Sequence, residues 1–170
     1  NLTYFDIEEE SGEVKTFTAE PGSPEYQEFW KPFLVDFAAY LRGKNWMSKT
    51  VFWIDERDFS MSENLIHFVQ GIDPEFKFGY SGTFSPTLSE LVFNYSLSSN
   101  IILEPNQLAE RKTKGFKTTI YTSCYEVQPN MLMASNYMDT YFLVMLSKAH
   151  GYDGMLRWAF NLWSPQIIKS

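Results

Sequence analysis

A chain of 170 residues that is 44% hydrophobic and 18% aromatic carries enough apolar surface for a folded core, which excludes a disordered segment. The formal net charge of -7 would repel a phosphate backbone, so nucleic acid is not an expected partner, and no apolar run approaches the roughly 18 to 20 residues of a membrane-spanning helix. One cysteine and two histidines exclude an internal disulfide and a multi-cysteine metal site, and no cofactor or metal is expected.

The apolar period changes repeatedly along the chain. Residues 2–7 predict a short strand, and the acidic, Gly-containing stretch 8–13 predicts a turn. Ser23 with Pro24 and Glu25 marks a helix start, and Tyr26, Phe29, Trp30, Phe33, Leu34, Phe37, Ala38 and Leu41 then recur on one face, with Pro32 expected to kink the rod. Thr50-Val-Phe-Trp-Ile54 is an unbroken run of β-formers, as in a strand buried on both faces. Ser60 and Glu63 have capping-box spacing ahead of a second helix through Leu65, Phe68, Val69 and Ile72, stopped by Pro74.

Further strands are predicted at 76–81, 91–95, 117–122 and 154–159. A short helix is predicted over 105–114, ended by Gly115. A longer one is capped by Ser135, with Met138, Tyr141, Phe142, Met145 and Ala149 as its inward stripe and Gly151 at its end. Strand and helix alternation implies right-handed crossovers and a parallel sheet in a single domain spanning the chain. No Gly-rich phosphate loop follows any strand, while polar and aromatic residues collect after several strands, so a (β/α)₈ barrel is expected in preference to a nucleotide fold.

The chemistry concentrates at Trp53-Ile-Asp55-Glu56-Arg57. Two adjacent carboxyls at a strand terminus repel one another, and glycoside hydrolysis uses such a pair: one group protonates the leaving oxygen and a second manages positive charge developing on the sugar. A solvated, mutually paired charge cluster gives the same pattern, so spacing alone leaves both open. Trp53, Tyr80, Tyr121, Trp158 and Trp163 could bury the flat apolar faces of a sugar, with Asn161 between the last two. Cys124 has no histidine near it in sequence and reads as a structural thiol; His67 reads as a surface or edge residue and His150 as a helix-end residue.

Taken in order, Pro21-Gly-Ser-Pro-Glu-Tyr26, Phe29-Trp-Lys-Pro-Phe33, Trp46, Ile54-Asp-Glu-Arg57, Tyr121-Thr-Ser-Cys124, Pro129-Asn130 and Gly154-Met-Leu-Arg-Trp-Ala-Phe-Asn-Leu-Trp163 resemble the catalytic barrel of glycoside hydrolase family 123, bacterial β-N-acetylgalactosaminidases. The resemblance implies a glycan substrate and a retaining, substrate-assisted mechanism in which the 2-acetamido oxygen is the nucleophile. Asp55 would orient the acetamido N–H, and Glu56 would act as general acid and then base. Tyr121 would donate to the acetamido carbonyl oxygen, Asn130, Arg157, Trp158, Asn161 and Trp163 would line the sugar pocket, and a bacterial periplasmic or extracellular setting follows from the family.

Departures accompany the match. An Asn-Tyr-His cluster of the family is Thr83-Phe84-Ser85 here, an Asp is Asn94 and a Ser is Leu162, a pattern that also suits a non-catalytic carbohydrate-binding relative. The resemblance begins partway through the family barrel, and a whole barrel takes roughly 250 residues, so an incomplete barrel is expected, with open sheet edges that could favour self-association.

Overall fold

The computed structural model describes residues 2–7, 10–123, 128–132 and 135–157. They fall into two compact units, one of Asn1–Phe78 with Ser85–Leu91, the other of Gly79–Phe84 with Val92–Ser170. No helix among the described residues is long and apolar enough to cross a membrane.

The first unit opens with an antiparallel hairpin of β1 (Leu2–Ile7) and β2 (Val14–Ala19), registered from Leu2 opposite Ala19 to Ile7 opposite Val14. Residues 10 and 11 form a turn within the predicted stretch, whereas β2 was unforeseen: Val14-Lys-Thr-Phe-Thr-Ala19 carries its β-formers without an apolar run. Helix α1 (Pro24–Gly43) starts where predicted, with Ser23 Oγ accepting from the Tyr26 N–H at 3.2 Å and Pro24 in the first turn. The Glu25 carboxyl is held below the usual value, first by its own backbone N–H and then by the Ser23 hydroxyl. The inward face is narrower than the aromatic stripe implied: Leu34, Ala38 and Leu41 are buried, while Phe29 and Phe33 are exposed.

Asn45, at φ 57°, ends α1 in the left-handed position usually given to glycine, with the Trp46 N–H donating to Leu41 O and the Asn45 N–H to Arg42 O. A short 3₁₀ turn (Met47–Lys49) leads into β3 (Val51–Asp55), α2 (Phe59–Ile72), the first residues of β4 (Lys77–Gly82) and, later, α3 (Pro86–Leu91). The cap of α2 is Asp58, whose side chain accepts from the Met61 N–H at 3.0 Å, in place of the expected Ser60 box. An aromatic core joins Phe52 to Phe76 at 5.0 Å and to Phe78 at 5.6 Å between ring centres. Arg42 clamps the turn after α2, reaching Asp73 and Glu75 at 2.6 Å each.

The second unit holds the end of β4, then β5 (Asn94–Ser98), α4 (Pro105–Thr113), β6 (Lys117–Tyr121), α5 (Tyr137–Ala149) and β7 (Gly154–Met155). β4, β5, β6 and β7 pair in parallel, with Tyr80 beside Tyr95, Tyr95 beside Thr118 and Ile120 beside Met155. Within this unit the order of sheet neighbours is β4-β5-β6-β7. β5 lies three residues later than predicted because Leu91 ends α3, a helix with no sequence expectation.

Helices α4 and α5 close as predicted, on Gly115 and Gly151 at φ 72° and 71°. The N–H of Phe116 then returns to Arg111 O, and that of Tyr152 to Ser147 O. The inward face of α5 differs from expectation. Leu143 and Ser147 are buried, whereas Met138, Tyr141, Phe142 and Met145 are exposed. A helix apolar on several sides gives periodicity no unique face to select. The small Ser147 fits because its Oγ donates to Gly154 O at 2.9 Å, tying α5 to β7.

Candidate active site

In the first unit the site begins with the alternation of β3. Phe52 and Ile54 point into the aromatic core, so Val51, Trp53 and Asp55 share the opposite side of the strand. Trp53 is 40% exposed, and Asp55 is exposed.

Glu56 breaks the strand. In a continuing strand its side chain would leave on the face opposite Asp55, but its backbone turns left-handed, at φ 47°. A non-glycine residue pays about 1 kcal/mol or more for that conformation. It is held between the ladder of β3 and the Asp58 cap of α2, where the Ser62 N–H donates to Asp58 O at 2.9 Å. Such strain concentrates where function requires it. The exposed carboxyls of Asp55 and Glu56 thus occupy a strand-to-helix corner at the carboxyl end of β3. Sequence reasoning located the pair but carried no signal for the left-handed residue.

A cavity of about 190 Å³ in this unit, with Trp53 on its wall, is otherwise lined by Tyr26, Trp30, Phe52, Phe68 and other apolar residues. The buried Trp30 Nε1 has no hydrogen-bond partner among the described residues. So apolar a lining suits hydrocarbon better than sugar hydroxyls.

In the second unit the candidate residues differ in availability. Tyr80 is 2% exposed, its ring 5.5 Å from that of Tyr95. Tyr121 ends β6 half-buried, and its carbonyl accepts from the Ser99 N–H at 2.9 Å. Asn130 is buried: its Nδ2 donates to Ser123 O at 2.7 Å, and its Oδ1 accepts from the Met131 N–H at 2.6 Å. The amide therefore braces the loop that follows β6. Arg157 lies half-buried just past β7. Trp158, Asn161, Trp163 and Cys124 fall outside the described residues.

The loop after β4, a departure from the family pattern in sequence, is held by its neighbours at each of its first three residues. Gly82 sits at φ 148°, and a Cβ there would lie 2.8 Å from Cε1 of Tyr80. Thr83 follows, exposed, and its carbonyl accepts from the Tyr95 hydroxyl at 2.7 Å. Phe84 then packs on Tyr95, the ring centres 5.8 Å apart.

The family model for the glycoside hydrolase 123 catalytic domain matches residues 1–169. Among solved structures, the chain is similar to a family 123 glycoside hydrolase from Clostridium perfringens, described in connection with glycolipid glycan hydrolysis, with a TM-score of 0.78 and 22% identity. That match covers 93% of this chain and 29% of the other, so the chain spans less than a third of the solved relative. The likeness establishes the fold, a parallel α/β sheet forming part of a family 123 barrel. No curated protein matches the chain.

Proposed function

The chain belongs to the glycoside hydrolase 123 catalytic-domain family, and from that premise we propose that it cleaves β-linked N-acetylgalactosamine with retention of configuration, using the substrate's acetamido group as nucleophile. The observation that carries this reading is the corner at Asp55 and Glu56, where two exposed carboxyls meet at a left-handed break in the chain.

Glu56 gives its proton to the glycosidic oxygen as the bond from that oxygen to C1 breaks and the acetamido carbonyl oxygen bonds to C1. Asp55 accepts from the acetamido N–H, raising the nucleophilicity of the carbonyl oxygen and balancing the charge of the oxazolinium ring. The Glu56 carboxylate then takes a proton from water as that water attacks C1, reopening the ring and restoring both the acetamide and the acid. Two carboxyls suffice because no protein group bonds to the sugar.

Trp53, on the same side of β3 as Asp55, offers the sugar an apolar face. Tyr121 and Arg157, with Trp158, Asn161 and Trp163, are proposed as hydroxyl and ring contacts from the family resemblance. Asn130 and Tyr80 act from the packed interior by holding neighbouring backbone. The altered Thr83-Phe84-Ser85 segment favours a second reading, sugar binding without cleavage.

A thiazoline analogue of the bicyclic intermediate decides between them: competitive inhibition of aryl N-acetyl-β-galactosaminide hydrolysis, with Ki well below KM for the substrate, is expected. Turnover that is insensitive to the analogue would remove substrate assistance. Sugar binding with no turnover would favour the second reading.

A further inference from the structure

We infer that Ser62 is a positioning residue for the general acid: its buried hydroxyl, near the start of α2, anchors the Asp58 carbonyl and so holds Glu56 in its left-handed turn. The inference rests on the glycosidase reading above.

The connection that Ser62 braces is short. β3 ends at Asp55 and α2 begins at Phe59, so Glu56, Arg57 and Asp58 alone join strand to helix. On the strand side the chain is fixed by Ile54, which is buried. On the helix side it is fixed at Asp58, whose carbonyl accepts twice from one residue: from the Ser62 N–H at 2.9 Å and from Ser62 Oγ at 2.7 Å. The Asp58 side chain accepts in addition from the Met61 N–H at 3.0 Å.

Ser62 is 1% exposed, whereas Ser60 and Met61 beside it are exposed. It is the first buried residue of α2, followed a turn later by Ile66, which has no exposed surface, and then by Val69. The anchor thus passes from the core of the unit through Ser62 to Asp58, and from there across Arg57 to Glu56.

Helix formation does not account for a hydroxyl at this place. The main-chain bond from Ser62 already serves the helix, serine is a poorer helix former than alanine, and a hydroxyl bonded to the carbonyl four residues back tends to bend a helix. What the second bond adds is a fixed direction for the Asp58 carbonyl. That fixes the path back to Glu56, whose backbone stands at φ 47°. Left-handed backbone is unfavourable for a residue with a side chain, so the turn persists only while its surroundings overdetermine it. Relaxed to extended backbone, Glu56 would carry its carboxyl to the strand face opposite Asp55.

The test is Ser62→Ala, read as kcat/KM across aryl N-acetyl-β-galactosaminides whose phenols differ in acidity. This quotient reports the steps up to cleavage of the glycosidic bond, where Glu56 donates its proton. With phenol as leaving group a fall of about five- to twentyfold is expected, as for a general acid displaced by a fraction of an ångström. With dinitrophenol, which departs without protonation, the change should stay within about twofold.

The melting temperature should hardly move, because the helix propensity of alanine offsets the lost hydroxyl bond. Ser62→Thr keeps a hydroxyl able to reach the same carbonyl and should retain the leaving-group dependence of the unaltered chain. Added to Glu56→Gln, Ser62→Ala should cause no further loss, since its effect runs through that carboxyl.

An unchanged kcat/KM with phenol, equal losses on all leaving groups, or losses that multiply with those of Glu56→Gln would each overturn the inference and leave the glycosidase reading intact. An unaltered chain that cleaves none of these glycosides overturns both.

Discussion

Glu56→Gln is expected to lower kcat for an aryl N-acetyl-β-galactosaminide by about 10² to 10⁴, the range that a positioned general acid contributes. The amide keeps the shape and hydrogen-bonding reach of the carboxyl but has no proton to give and cannot take one from water. The loss in the first half-reaction should shrink as the leaving group becomes more acidic, because a good leaving group departs without protonation. The second half-reaction still lacks its base, so such substrates should show a burst followed by slow turnover.

Folding should be unaffected, since Glu56 is exposed and its left-handed backbone is as accessible to Gln as to Glu. An unchanged melting temperature therefore accompanies the predicted loss. Near-normal turnover in this variant would remove Glu56 from the chemistry.

Arg111→Met should destabilise the fold by about 2 to 4 kcal/mol, read as a fall in urea midpoint at unchanged slope. Two effects oppose one another. Burying a guanidinium is costly, and methionine of similar length would relieve that cost. Against this, the guanidinium meets Thr118 Oγ1 and the carbonyls of Val92 and Lys117, and it lies 5.5 Å from the rings of both Tyr95 and Phe116.

Methionine fills the space between the rings but leaves buried acceptors without that donor, each worth about 1 to 3 kcal/mol. The lost hydrogen bonds win because several are removed together, while the desolvation relief is gained once. An unchanged or higher midpoint would mean that the cost of burying the guanidinium outweighs its hydrogen bonds.

Much of this was legible in the residues because local chemistry decided it. Pro105 and Gly115 bracket α4, and Ser23 with Pro24 starts α1, since a missing N–H, a capping hydroxyl and a left-handed glycine act within a few residues. The run Thr50-Val-Phe-Trp-Ile54 dictates a strand with Asp55 at its end, so the pattern alone marks the position of the candidate carboxyls.

What escaped depends on competition or on distance. Asp58, Ser60 and Glu63 all offer capping chemistry, and Asp58 prevails because α2 begins at Phe59. Ser135 and Asn136 compete likewise: Asn136 caps α5 while Ser135 Oγ accepts from the Leu132 N–H. The polar sequence of β5, Asn94-Tyr-Ser-Leu-Ser98, hides a strand whose Tyr95, Ser96 and Leu97 have no exposed surface. Its burial comes from neighbours on both sides, which no local pattern records. The bond from Tyr95 to the Thr83 carbonyl spans 12 residues, and the left-handed turn at Glu56 is set by the strand before it and the cap after it.

The most direct test of the central claim is the configuration of the first-formed sugar, followed by ¹H NMR during cleavage of an N-acetyl-β-galactosaminide. Substrate assistance inverts C1 twice, so the β-anomer of N-acetylgalactosamine is expected to appear first and then to relax towards the equilibrium mixture. Initial release of the α-anomer would mean direct attack by water on C1 and would contradict the mechanism assigned to Asp55 and Glu56.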